Sequence, residues 1–283
     1  MAVSLGRLGF FVGEPYLAAL TGEQVGAFAG QLEQAGYSGM WLGSASADFR
    51  LAEPILSATS GLVYGTGILN AWIEPAERVV ASYRRLGPAY SDRVLAGIGI
   101  GHPERPDNQQ YAKPYANLVA YLDTLAEIPP ENLALAALGP KVLALAGKRT
   151  AGAHPYSTTP EHTRQAREIL GTGPLLVPEQ KVLLETDPVR AREISRQSTS
   201  LLLGLANYRN NFLRLGFTEE DLADGGSDRL VDAVVAWGDP AAAAARIREH
   251  LEAGADQVAV HVLGTDNPLP IAELSEISAA LAD

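Results

Sequence analysis

Five histidines, a few glycine-rich segments and the absence of cysteine set most of the chemistry open to this 283-residue chain. His102 and His154 end short apolar runs that read as strands, and His261 lies within another. His162 and His250 fall on amphipathic segments and are expected on helix surfaces. An imidazole at the C-terminal end of a strand can exchange a proton near neutral pH. His102 is therefore the catalytic candidate. The other reading is that it only hydrogen-bonds a loop containing Pro103 and Pro106. No HxH or HExxH pair occurs, so no metal site is expected. Without Cys there are no disulfides, thiolate metal sites, iron–sulfur clusters or thiol nucleophiles. Lys181 is the only lysine on a predicted strand, the position a Schiff-base enzyme would need. Gly-x-Ser-x-Gly is absent, and nothing resembles a hydrolytic triad.

Gly97-Ile98-Gly99-Ile100-Gly101-His102 closes the fourth predicted strand. Its glycines suggest a dinucleotide fingerprint, but the third comes too early and the next helix starts too late. The segment reads as a strand end without side chains, against which a flat ring can lie. A tight barrel corner would also use it. Gly65-Thr66-Gly67-Ile68-Leu69-Asn70 ends the third strand in the same way, as a ring platform or as a bulge that curves the barrel. Leu138-Gly139-Pro140 opens a helix whose exposed amides could hold a phosphate, although many strand-to-helix turns look alike.

These residues need a scaffold. Strands are expected at Arg7–Val12, Gly39–Gly43, Val63–Leu69, Val94–Ile98, Leu133–Ala137, Gly152–His154, Lys181–Glu185 and Gln257–Val262. Most are continuous apolar runs, as in parallel strands covered on both faces. Helical patterns lie between them. Gln24–Gln34 stops at Gly36, Asp187-Pro188 opens Val189–Leu203, and Asp239-Pro240 opens Ala241–Glu252. Alternation of eight strands with helices points to a (β/α)8 TIM barrel, one domain over residues 1–283. A doubly wound open sheet is the rival. The interval from Glu185 to Gln257 is long enough for a helical insertion between strands seven and eight, including a helix at Ser227–Trp237.

The balance of 22 Lys+Arg against 33 Asp+Glu, a net charge of −11, disfavours nucleic acid and anionic lipid as partners. No signal peptide or membrane span is expected, and cytoplasm is the default location. A small organic substrate would suit a barrel mouth near Phe11, Trp72 and Tyr111.

Several stretches, in order, resemble the bacterial luciferase-like monooxygenase superfamily. They are Glu33-Gln34-Ala35-Gly36-Tyr37-Ser38-Gly39-Met40-Trp41-Leu42, Gly65 to Asn70, Ala96 to Gly99, Leu138 to Lys141, Gly152 to His162, Gly238-Asp239-Pro240 and Ala253 to Val258. The similar branch is that of coenzyme F420-dependent oxidoreductases of actinobacteria. The resemblance implies a coenzyme in the barrel mouth, F420 or alternatively FMN. It places a non-proline cis peptide at Gly67-Ile68 behind the central ring, with Gly99 and Gly101 beside it. Leu138 and Gly139 match the phosphate cradle, and His154 and Tyr156 its second wall. His102 stands where the sugar-phosphate dehydrogenases of the group carry an acid/base carboxylate. Well-studied deazaflavin dehydrogenases have an Asp-His pair after strand two, whereas Gly43-Ser44-Ala45 stands here, which removes two polar contacts. The implied activity is hydride transfer between F420 and a small organic substrate. An FMN-dependent monooxygenase and a non-catalytic coenzyme- or ligand-binding barrel are the alternatives, and a homodimer is among the assemblies this allows.

Overall fold

The computed structural model describes residues 3–104 and 111–282, so Pro106 lies outside the described residues. Eleven strands occur in it: β1 (Leu8–Gly13), β2 (Gly39–Gly43), β3 (Val63–Thr66), β4 (Leu69–Asn70), β5 (Val94–Gly99), β6 (Leu133–Leu135), β7 (Gly152–Ala153), β8 (Leu175–Leu176), β9 (Glu179–Leu183), β10 (Val235–Trp237) and β11 (Val258–Val262). Every pairing is parallel, in the order β10-β9-β11-β1-β2-β3-β5-β6-β7-β8, with β4 on β5.

The sheet closes on itself through the segment 175–183. On one side, the amides of Leu175, Val177 and Glu179 donate to the carbonyls of Ala151, Ala153 and Pro155 at 2.7, 2.9 and 2.8 Å. On the other, Leu176 and Pro178 accept from the amides of Asp256 and Ala259, each at 2.9 Å. This is the expected (β/α)8 barrel, with β8 and β9 acting as one interrupted strand. The seventh strand was expected at Lys181–Glu185 and instead ends at Leu183. Pro178 reads as a strand breaker, but here the chain needs only its carbonyl, so the ladder runs past it.

Eleven α-helices accompany the strands: α1 (Gly22–Gln34), α2 (Ala52–Ser57), α3 (Ala76–Tyr90), α4 (Pro114–Thr124), α5 (Pro140–Arg149), α6 (Pro160–Leu170), α7 (Pro188–Leu203), α8 (Ala206–Arg214), α9 (Asp228–Val234), α10 (Pro240–Glu252) and α11 (Ile271–Ala282). Side chains set their starts. Thr21 and Gln24 form a reciprocal capping box at α1, and the Asp187 and Asp239 carboxylates accept first-turn amides of α7 and α10. Gly87, at φ +61°, followed by Pro88, breaks α3.

Between β9 and β10 lie α7, α8 and α9. They carry an apolar cluster of their own around Leu203, Tyr208, Phe212, Phe217, Leu230 and Val234. The helix expected at Ser227–Trp237 stops at Val234. Its last three residues become β10, because Val235–Trp237 pair with Lys181–Leu183 where β7 has ended. The third expected strand, Val63–Leu69, is split into β3 and β4 at a cis Gly67-Ile68 bond. The expected surface positions of His162 and His250 are also corrected, since both are buried. His162 Nε2 bonds the Leu138 carbonyl at 2.9 Å, and His250 bridges Thr163 and Gln180 at 2.8 Å each. Such bonds allow an imidazole to be buried, although His162 Nδ1 has no partner, and amphipathic spacing cannot reveal them.

Alternation along the strands gives two apolar layers. Phe10 and Val12 face the helices, while Phe11, Trp41, Val63, Leu95, Val177 and Ala259 fill the barrel. Trp41 can lie flat inside because Gly65 faces it. A Cβ there would stand 2.5 Å from the indole.

Candidate active site at the barrel mouth

At their C-terminal ends the strands present two unlike walls. Gly13, Gly43 and Gly99 end β1, β2 and β5, and Gly67 follows β3. Opposite them, β7, β9 and β11 bring His154, Tyr156, Glu179, Lys181 and His261. Phe11 spans the two walls. Its ring lies 5.0 Å from that of His261 and 5.2 Å from that of Tyr156, and a Cβ on Gly67 would meet its edge at 2.8 Å.

Glu179 is fully buried and accepts from three donors. These are Lys181 Nζ at 3.1 Å, the Ser157 amide at 2.9 Å and His261 Nδ1 at 2.7 Å. Burial alone would raise its pKa. The Lys181 charge, the His261 bond and the Ser157 amide outweigh burial and hold it at about 2. Lys181 is pulled down by burial and supported by Glu179, and its Nζ also sits 4.0 Å above the Tyr156 ring. The two form a fully buried salt bridge. Its commitment to Glu179 makes Lys181 unsuited to a Schiff base.

His154 stacks on Trp41, 4.4 Å between ring centres, and its Nδ1 lies 2.7 Å from the Val177 carbonyl. A carbonyl can only accept, so Nδ1 carries the proton and Nε2 keeps a lone pair. Burial lowers this imidazole's pKa to about 4, which makes it neutral. Its Nε2 is buried without a partner beside Gly67, 2.8 Å from where a Cβ would stand. Ser157 Oγ and Thr158 Oγ1 are also buried without partners.

The structure brings most of the sequence-selected residues to this end of the barrel. Gly67 meets His154, and Ile68 packs over Gly99, where a Cβ would stand 2.7 Å from its side chain. Gly101 takes φ +58° just beyond β5. His102 is half-buried, with Nδ1 2.9 Å from Asn207 Oδ1 of α8 and its ring 5.4 Å from that of Tyr208. Tyr208 in turn contacts Tyr156. Leu138 packs with Tyr156 on the apolar cluster of the α7–α9 excursion. Gly139 caps α5, and the space where its side chain would be is open. Trp72 pairs with Tyr111, 5.6 Å between ring centres.

Sequence reasoning missed Glu179, Asn207 and the role of His261. Glu179 and Lys181 are two apart on a strand, which puts both on one face. An acid and a base at that spacing in an otherwise apolar barrel was the available signal. Nothing local marked Asn207, because only the fold carries α8 to the end of β5.

No family model matches the chain, and no curated protein matches it in sequence. Solved structures do. An F420-dependent secondary alcohol dehydrogenase in complex with an F420-acetone adduct superposes with TM-score 0.73 at 13% identity, over 99% of this chain and 100% of that one. The chain has that fold. The coenzyme F420-dependent tetrahydromethanopterin reductase of Methanopyrus kandleri gives 0.67 at 14%, covering 95% and 98% of the two chains. The oxygenating constituent of 3,6-diketocamphane monooxygenase from a Pseudomonas putida plasmid, in complex with FMN, gives 0.68 at 14%, covering 99% and 98%. Among the described residues no helix is long and apolar enough to cross a membrane, and no cluster of potential ligands could hold a metal ion.

Proposed function

We propose that this chain is an oxidoreductase of the luciferase-like class. In this reading it holds coenzyme F420 in the barrel mouth and exchanges hydride with a small organic substrate. The observation that carries it is the pairing of a side-chain-free wall with a polar one at the strands' C-terminal ends, where barrel enzymes place their chemistry. The residues fit such a group. Three buried polar atoms, His154 Nε2, Ser157 Oγ and Thr158 Oγ1, lack protein partners and cluster at the end of β7. A ligand with a flat ring, a hydrogen-bonding edge and a phosphate supplies what they lack. Proteins of this fold include both F420- and FMN-dependent ones.

When bound, the deazaflavin supplies a two-electron hydride acceptor and donor. Gly67, Ile68, Gly99 and Gly101 give it a backing free of bulky polar groups. Leu138 and Gly139 open α5; Pro140 has no N–H and the Val142 amide bonds the Gly139 carbonyl, so the Gly139 and Lys141 amides are the ones to receive a phosphate, and His154 and Tyr156 form the facing wall. The Leu138 carbonyl, which cannot bind a phosphate, instead accepts from His162 Nε2. His102, bonded to Asn207, holds α8 against the end of β5, together with the Ala206 amide that donates to Glu104 at 3.0 Å.

Calorimetric titration with F420 and with FMN, alongside oxygen uptake, tests this reading. F420 should bind and no oxygen should be consumed. FMN binding with oxygen uptake would make the chain a monooxygenase. Binding of neither, with Phe11 still seated against Gly67, would make it a barrel without coenzyme.

A further inference from the structure

Resting on that coenzyme reading, we propose that His261, oriented by Glu179, takes the proton from an alcohol substrate and returns it to the carbonyl product. Glu179 has no exposed surface and Lys181 has 1%, whereas the His261 side chain has 21%. Of the three groups in the charged cluster, only the imidazole reaches the mouth. Its Nδ1 bonds the carboxylate at 2.7 Å. An ionised carboxylate only accepts, so Nδ1 carries the proton in the neutral ring and Nε2 presents its lone pair. That Nε2 makes no hydrogen bond to the described residues. The carboxylate–imidazole arrangement fixes the tautomer and stabilises the imidazolium that forms.

The surroundings favour the role. Phe11 lies 5.0 Å from the imidazole and Tyr156 lies 6.4 Å away, so the exchange takes place between aromatic walls where charges interact more strongly than in water. Phe11 also touches the face of Gly67, which puts His261 about one ring's width from the proposed coenzyme platform. The end of β2, Gly43-Ser44-Ala45, offers no acid or base, and His102 is tied to Asn207. Lys181 balances Glu179, so one added proton leaves the cluster with a single positive charge beside the substrate oxygen.

The step balances. As the alcohol carbon gives its hydride, with the C–H electron pair, to the deazaflavin, the O–H proton moves to His261 Nε2. The O–H electron pair becomes the second bond of the carbonyl. The alcohol is oxidised and the deazaflavin reduced, and the imidazolium later releases its proton to water.

Three variants and two readouts test the assignment. In ligand-free protein labelled with 15N-histidine, His261 in mildly alkaline buffer should show a protonated Nδ1 and a bare Nε2, with His261→Gln identifying the signals. Glu179→Gln should abolish that preference. If the single variant misfolds because Lys181 is left charged and sealed, Glu179→Gln with Lys181→Met removes the pair together. With F420 and a panel of alcohols, His261→Gln should bind the coenzyme within about threefold of wild type and keep KM. Its kcat should fall by roughly 10²–10⁴-fold, the usual worth of a general base. His102→Ala should not reproduce that loss. A His261→Gln enzyme within about tenfold of wild type, while F420 still binds, overturns the proton role alone. So does a wild-type spectrum with His261 Nδ1 unprotonated. A wild-type protein that binds no F420 overturns the coenzyme reading and the proton role with it, and the spectrum then still reports whether the pair exists.

Discussion

Three of the five histidines are defined by the partner of one nitrogen. Val177 makes His154 an acceptor, Glu179 does the same for His261, and Asn207 ties His102 to a helix. His154 and His250 also make stability depend on pH. Burial lowers the pKa of His154 to about 4, and burial with the Arg246 charge lowers that of His250 to about 3, from 6.5. The unfolded chain therefore binds protons that the folded chain refuses. Stability should be full above about pH 6.5 and fall as the pH drops toward 4, by about 3 kcal/mol for each group. Denaturant melts across that range should show the slope, and His250→Gln should flatten it. A flat profile in wild type would mean that these rings are charged in the fold. For His102, the expectation is a kcat loss under tenfold in His102→Ala. A larger loss with coenzyme affinity intact would return the proton role to His102.

The elements that were legible in the sequence are those whose signal is local. Gly39–Gly43 is a continuous apolar run, and Asp187-Pro188 and Asp239-Pro240 announce their helices. The seventh strand was harder, because Pro178 hides a ladder that needs only its carbonyl. Val235–Trp237 has no strand signal separate from the helix before it. It becomes β10 only because β7 is two residues long and leaves Lys181–Leu183 unpaired on that side. The β3–β5 contact is also tight. Gly97 donates its amide to Thr66 Oγ1 at 2.8 Å, and a Cβ on Gly97 would stand 2.0 Å from the Thr66 carbonyl oxygen. Because backbone cannot move aside cheaply, Gly97→Ala should cost roughly 1–3 kcal/mol or more. Thermal unfolding measures this, and an unchanged midpoint would show that the two strands can separate without penalty.

Across the whole molecule, one chemical asymmetry organises the barrel. The first half of the chain supplies glycines at the mouth, and the second half supplies His154, Tyr156, Glu179, Lys181 and His261. The glycine half and the phosphate-type turn at Leu138-Gly139 could be read from the sequence. Of the charged half, His154, Tyr156 and Lys181 stood out, but the Glu179–His261 pair did not, because the two are 82 residues apart and meet only when β9 pairs with β11. Gly139 has open space where a side chain would stand. Gly139→Asp should therefore leave the fold intact and abolish F420 binding through the added negative charge. Retained affinity in a folded Gly139→Asp variant would move the phosphate site elsewhere. The coenzyme's place is tested most directly by a crystal structure of the protein soaked with F420. The deazaflavin should appear in the mouth, between the Gly67-Ile68 backing and His261, with its phosphate near Gly139. A ring bound anywhere else would contradict the assignment.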